Sequence, residues 1–165
     1  MKLLMKQKMF SWVNRFSIKD EYGNDKYQVE GELFSWGKKL HVYNLAGEEV
    51  AFIHQKVWSF LPRFFVYTNG REVAEIVKEF TFLKPQYSIE GLNWKVEGNF
   101  FAHDYLITHS GYQIVSIQKE WFTWGDFYTM DISNEQDELI ALAVVLAIDC
   151  VMASQRGAAG SSYNT

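Results

Sequence analysis

From Phe16 to about Asp131 the chain alternates apolar and polar residues in short runs broken by turn signals, the spacing of an antiparallel all-β domain. Strands are expected at Tyr27–Phe34, Leu40–Asn44, Glu49–Gln55, Phe64–Thr68, Ser88–Ile89, Asn93–Phe101, Tyr105–His109, Gln113–Lys119 and Phe127–Ile132. Turn chemistry falls between them at Tyr22-Gly23-Asn24-Asp25, Ala46-Gly47, Asn69-Gly70, Glu90-Gly91, Ser110-Gly111 and Gly125-Asp126. Asn69-Gly70 is the strongest hairpin signal, because both residues tolerate the positive φ that a tight, right-twisted connection requires. Glu72–Phe80 fits two periods: Val73, Ile76, Val77 and Phe80 make a helical stripe, whereas Ala74, Ile76, Lys78 and Phe80 make one face of a strand.

The last segment changes period. Ser133-Asn134-Glu135-Gln136 offers a cap with Gln three residues on, and Glu135, Asp137 and Glu138 place negative charge where a first helical turn exposes its N–H groups. Gly157 is a plausible left-handed stop, so the helix is expected over about 134–155, with 157–165 as a flexible tail. Leu139 to Ile148 is apolar on every face. With Asp149 breaking it, this run is short of the ~18–20 residues of a bilayer span. A helix apolar all round must be surrounded, and in a strand-rich chain the container is a closed sheet, which also removes sheet edges. Asp149 must then find a partner or emerge, and an exit near the rim, beside Gln155 and Arg156, is expected.

Self-comparison finds two diverged copies of one pattern, over about 16–80 and 87–132. They begin Phe16-Ser17-Ile18 and Tyr87-Ser88-Ile89, then Tyr27–Phe34 matches Trp94–Phe101. Val50–Ile53 matches Ile114–Ile117, Trp58 matches Trp121, and Phe64-Phe65 matches Phe127-Tyr128. The offset shrinks within loops, which absorb deletions that strands cannot. A single domain over residues 1–156 is therefore expected, built from two pseudo-repeats around one helix.

Composition sharpens this picture. The 165 residues include 13 Phe, 9 Tyr and 6 Trp but only 2 Pro, which suits large side chains filling the interior of a sheet. A net charge of −4 argues against a dedicated nucleic-acid binder. One cysteine excludes an internal disulfide framework and fits a reducing, cytoplasmic setting. Lysines 2, 6 and 8 interrupt each apolar run at the start, so no export signal is expected.

Met5-Lys6-Gln7-Lys8-Met9-Phe10-Ser11, Phe16-Ser17-Ile18-Lys19-Asp20-Glu21-Tyr22-Gly23, Tyr27-Gln28-Val29-Glu30-Gly31, Gly37-Lys38-Lys39 and the terminal apolar helix together resemble bacterial LURP-one-related proteins, up to about Ala153. That family is similar to the tubby C-terminal domain and to phospholipid scramblases. The resemblance implies a mainly β fold, a closed antiparallel barrel of about twelve strands around a central hydrophobic C-terminal helix. Tubby domains bind phosphoinositides through basic surface residues, and scramblases are membrane-associated and calcium-responsive. No motif for either ligand set aligns here, so no functional residue is carried over.

Other chemistry is sparse. Gly31 to Lys39 has the outline of a phosphate loop, but five residues separate its glycines and Lys39 stands where Ser or Thr should hold magnesium. His41, His54, His103 and His109 lack metal-binding helical spacing, and Cys150 on the apolar helix should be an inert, buried thiol. No catalytic residue, metal or cofactor is therefore expected. Lys6, Lys8, Lys38, Lys39 and Arg63 are the candidates for a patch meeting anionic phospholipid headgroups. The expected function is a non-enzymatic binding or scaffold module, cytoplasmic or peripheral at the inner membrane face, whose partner is anionic phospholipid or a protein. Two alternatives predict different geometry: an enzyme would gather Asp104, His103 and His109 in a cleft, and a protein-interaction module would expose an apolar or aromatic patch.

Overall fold

The computed structural model describes residues 1–6, 15–32, 36–79, 87–99, 102–122 and 125–160. They form twelve strands: β1 (Lys2–Lys6), β2 (Arg15–Asp20), β3 (Asp25–Gly31), β4 (Lys39–Asn44), β5 (Glu49–Gln55), β6 (Arg63–Thr68), β7 (Arg71–Lys78), β8 (Tyr87–Glu90), β9 (Trp94–Asn99), β10 (Asp104–His109), β11 (Tyr112–Phe122) and β12 (Gly125–Ile132). One helix follows, α1 (Glu138–Gly160). Each strand pairs antiparallel with its neighbour in sequence, and β1 closes the barrel by pairing with β12, with Leu3 opposite Met130.

The ambiguous stretch resolves by burial. Residues 71–78 are a strand, with Ala74 and Ile76 turned inward; Phe80 lies outside the described residues. The lysine-interrupted start is the closing strand, whose Leu3 and Met5 join the core. The Asn69-Gly70 turn has φ of +48° and +73°, the two positive values a tight hairpin of matching twist needs. Matched segments of the sequence repeat fall on β2 and β8, β3 and β9, β5 and β11, and β6 and β12, strands six apart in the closed order.

Ile18, Val29, Val42, Ile53, Phe64, Val66, Ile76, Ile107, Ile117 and Met130 point inward onto α1, whose residues Ala141 to Ile148 are all fully buried. The helix is thus enclosed on every face, as its composition demands. Outward strand positions such as Gln28, Glu30, His41, Glu75, Lys95 and Glu97 are polar, the inverse of a barrel whose exterior faces lipid. Among the described residues no helix is long and apolar enough to cross a membrane.

The helix differs from the sequence expectation at three points. A 3-10 turn, Glu135–Asp137, precedes it, capped by Asn134, whose side chain accepts from the Gln136 N–H. The helix itself starts at Glu138, where the Lys26 ammonium lies 2.8 and 2.9 Å from the two carboxylate oxygens and pins the helix base to β3. It then passes Gly157 and runs to Gly160, since Ala158 and Ala159 are strong helix formers. Finally, Asp149 does not emerge at the rim: it is 3% exposed, because Val151 and Met152 beyond it are also buried.

Candidate functional site

Strand alternation sends β1, β3, β5 and β7 up to one rim, from which β2, β4, β6 and β8 descend. That rim therefore collects Lys6, Arg15, Lys38, Lys39, Lys56, Arg63 and Lys78, all from the β1–β7 side. The opposite rim carries Asp20, Asp25, Glu49, Glu90 and Asp131, with Glu135 and Asp137 before the helix, alongside Lys2, Lys26 and Arg71; Glu32, Glu79 and Asp104 lie on the first rim. Basic residues are thus concentrated on the β1–β7 part of the first rim, although the net charge is −4.

Two adjacent connections form the centre of the basic rim, the one before β4 and the one between β5 and β6. The Gln55 N–H donates to the Lys38 carbonyl at 2.8 Å, and the Lys38 N–H donates to Gln55 Oε1 at 3.2 Å. The Lys56 N–H donates to the Arg63 carbonyl at 2.9 Å. Gly37 has φ +84°, and a Cβ there would lie 3.0 Å from Val57 Cγ2 and 3.2 Å from the Gln55 carbonyl oxygen, so the connections touch. Four apolar side chains stand out from them into solvent: Trp36 (80% exposed), Val57 (42%), Trp58 (86%) and Phe60 (95%). Such residues ordinarily occupy the core, so their concentration on two touching loops sets this part of the rim apart from the rest of the described surface. Tyr22, Leu45 and Tyr112, the exposed large side chains of the opposite end, sit singly on separate hairpins.

The five residues expected in a lipid-facing patch fare differently. Lys38 is at the centre of this surface, and Lys6 is on the same rim, three strands away from β4. Lys39 also lies here, but its ammonium is 2.9 Å from Glu32, and Arg63 is likewise 2.9 Å from Glu75, so both charges are locally compensated. Lys8 lies outside the described residues. For Lys6, Lys38, Lys56 and Lys78 no carboxylate partner is found among the described residues; Lys56 rests over the Phe65 ring, 5.7 Å from its centroid. Lys56 and Lys78 escaped sequence reasoning because only the strand order brings them onto the rim that carries Lys38. Trp36 and Trp58 escaped because aromatic residues read first as core. The signal that distinguishes them is position, in turns beside lysines and not within the alternating strands.

The histidine cluster does not assemble. His103 is buried immediately before β10, Asp104 is exposed, and His109 is at the far end of that strand, with Nδ1 3.2 Å from the Leu92 carbonyl oxygen. His103 instead stacks on Tyr128, with centroids 4.6 Å apart and planes 8° apart, and its Nδ1 is 3.8 Å from Asp149 Oδ1. The Tyr128 hydroxyl donates to Asp149 Oδ2. Burial, then the Asp149 charge, raises the Tyr128 pKa well above that of a free phenol. This group holds an acid inside the barrel, where Asp149 is 3% and His103 8% exposed. Burial also pushes the Cys150 thiol up to about 12, partly offset by the Lys38 charge above it, which leaves the thiol protonated and unreactive. Among the described residues no three His, Cys, Asp or Glu side chains converge as metal ligands.

A closed twelve-stranded barrel sheathing its own C-terminal helix, with one basic, aromatic rim, defines the class. The chain belongs to the LURP-one-related family, whose model matches residues 1–149. It is 37% identical over 150 residues to a protein of Bacillus subtilis (strain 168) called "Uncharacterized protein YxjI", covering 91% of this chain and 93% of that one. The X-ray structure of the Arabidopsis thaliana protein AT5G01750 superimposes with a TM-score of 0.61 at 16% identity, covering 90% of this chain and 89% of that chain, a likeness of fold.

Proposed function

We propose that the chain is a non-enzymatic module that docks on anionic phospholipid surfaces, at the cytoplasmic face of the membrane, through the rim bearing Lys38, Lys56 and Lys78. The observation that carries this reading is the distribution of charge: Lys38, Lys56 and Lys78, which meet no carboxylate among the described residues, share one rim, and acidic residues outnumber basic ones on the other. An anionic surface attracts the first end and repels the second, so the field orients the barrel as well as holding it. Each lysine near such a surface contributes about 1 kcal/mol, so three acting together raise the partition coefficient by roughly two orders of magnitude. The dispersal of the candidate catalytic groups supports the non-enzymatic part, since Asp104 is exposed and His109 lies at the far end of β10 from His103.

Flotation with phosphatidylcholine vesicles, with and without added phosphatidylglycerol, tests the proposal. Recovery should require the anionic lipid and should fall at least tenfold in a Lys38→Glu/Lys56→Glu variant. Equal, negligible recovery with both vesicles would remove the lipid reading.

A further inference from the structure

Charge alone does not account for the rim. Trp36, Trp58 and Phe60, three of the largest apolar side chains in the protein, are each at least 80% exposed, on the two loops that carry Lys38 and Lys56. We propose that these two loops are a membrane-insertion element: Trp36, Val57, Trp58 and Phe60 enter the headgroup and upper acyl region of the bilayer while Lys38 and Lys56 stay at the phosphate level. This inference rests on the lipid-docking reading and deepens it, because it assigns the contact an apolar component that binding by charge alone lacks.

Three features select lipid as the occupant. The indole ring is amphipathic and settles at the bilayer interface, where its apolar body is buried and its N–H remains hydrated. The apolar residues are interleaved with lysines that meet no carboxylate among the described residues, a pairing complementary to an anionic headgroup above an apolar chain. Among the described residues the patch comprises four side chains on two turns, whereas a stable protein interface engages about 20–30 residues a side. The loops are braced for the task. The reciprocal hydrogen bonds between Lys38 and Gln55, the Lys56 to Arg63 bond, and the close approach of Gly37 to Val57 tie the two connections together, so little ordering remains to be done on insertion.

The test uses the full chain and a Trp36→Ala/Trp58→Ala variant. Both residues are exposed, so circular dichroism melts of the two proteins should coincide. Tryptophan fluorescence is measured on phosphatidylcholine–phosphatidylglycerol vesicles with brominated acyl chains, at low and at high salt. Insertion predicts bromine quenching of the wild type, a fraction of binding that survives high salt, and at least a tenfold loss of that fraction in the double variant, with the quenching lost as well. Binding that vanishes at high salt, without quenching and without dependence on Trp36 and Trp58, would overturn insertion and leave electrostatic docking standing. No binding to any vesicle would overturn both. Concentration-dependent self-association, abolished by the double substitution and accompanied by no vesicle binding, would assign the patch to a second copy of the chain and likewise overturn insertion.

Discussion

Leu142 lies on the enclosed part of the helix and is fully buried. Truncating it to alanine removes buried methyl groups and leaves a cavity that twelve hydrogen-bonded strands cannot easily collapse, at a cost of about 3–5 kcal/mol. With an unfolding entropy of about 2.1 cal/mol/K per residue, that loss lowers the melting temperature by roughly 8–14 °C for a chain of this length. Leu142→Asp is more severe. An unpaired carboxylate in this apolar interior adds several kcal/mol, and the total rivals the whole ~5–15 kcal/mol stability of an ordinary domain. Leu106 is the control, because it faces outward on β10 and is 39% exposed. Leu106→Asp should change stability by less than about 1 kcal/mol. Thermal melts by far-ultraviolet circular dichroism, with urea titrations of each variant, check the series. A Leu142→Asp protein that melts within a few degrees of wild type would refute the enclosure, and with it the reason the sheet must close.

Three further outcomes follow from the same geometry. Gly98 has φ +131°, and a Cβ there would lie 2.6 Å from the Asp104 carbonyl oxygen and 2.7 Å from the Tyr105 Cα, so Gly98→Ala should cost upwards of about 1–3 kcal/mol in a urea titration. Gly47→Ala, with open space around it, should cost less. Cys150 ionises near 9.0 when unfolded but only near about 12 when buried, so above pH 9 the unfolded state releases a proton that the folded state keeps. Stability should decline from there as pH rises, Tyr105 and Tyr128 adding to the slope above pH 10, and a thiol reagent should label Cys150 only after unfolding. At His41, partial burial pulls the pKa down, but hydrogen bonds to Glu49 and Glu32 outweigh it and leave the value raised above 6.5. That contribution is fully present below the unfolded value and lost as pH rises through the folded one, so His41→Gln should flatten the fall in urea midpoint above pH 6.5.

Much of this molecule was legible from local pattern. Alternation along residues such as Glu49–Gln55 and the turn at Asn69-Gly70 register a side-chain period and a backbone sign that hold whatever lies nearby. The uniformly apolar run from Leu139 to Ile148 likewise demands enclosure, and the repeat hints at how the container is built. Weak patterns resolved only on assembly: residues 71–78 satisfy two periods, and neighbours on β6 and β8 decide between them.

The rim belongs to the second kind of information. Composition and spacing determined that a strand-rich barrel had to surround this helix, because burial of apolar surface depends on which residues are present and with what period. Only the tertiary structure decided which lysines share a rim, since Lys38, Lys56 and Lys78 are far apart in sequence and strand order brings them to the same end of the barrel. It also decided that Lys39 and Arg63 are held by Glu32 and Glu75, that Asp149 meets Tyr128 inside the barrel, and that Trp36 and Trp58 face solvent. Charge and exposure depend on distances across the sheet, and those distances exist only once the barrel has closed.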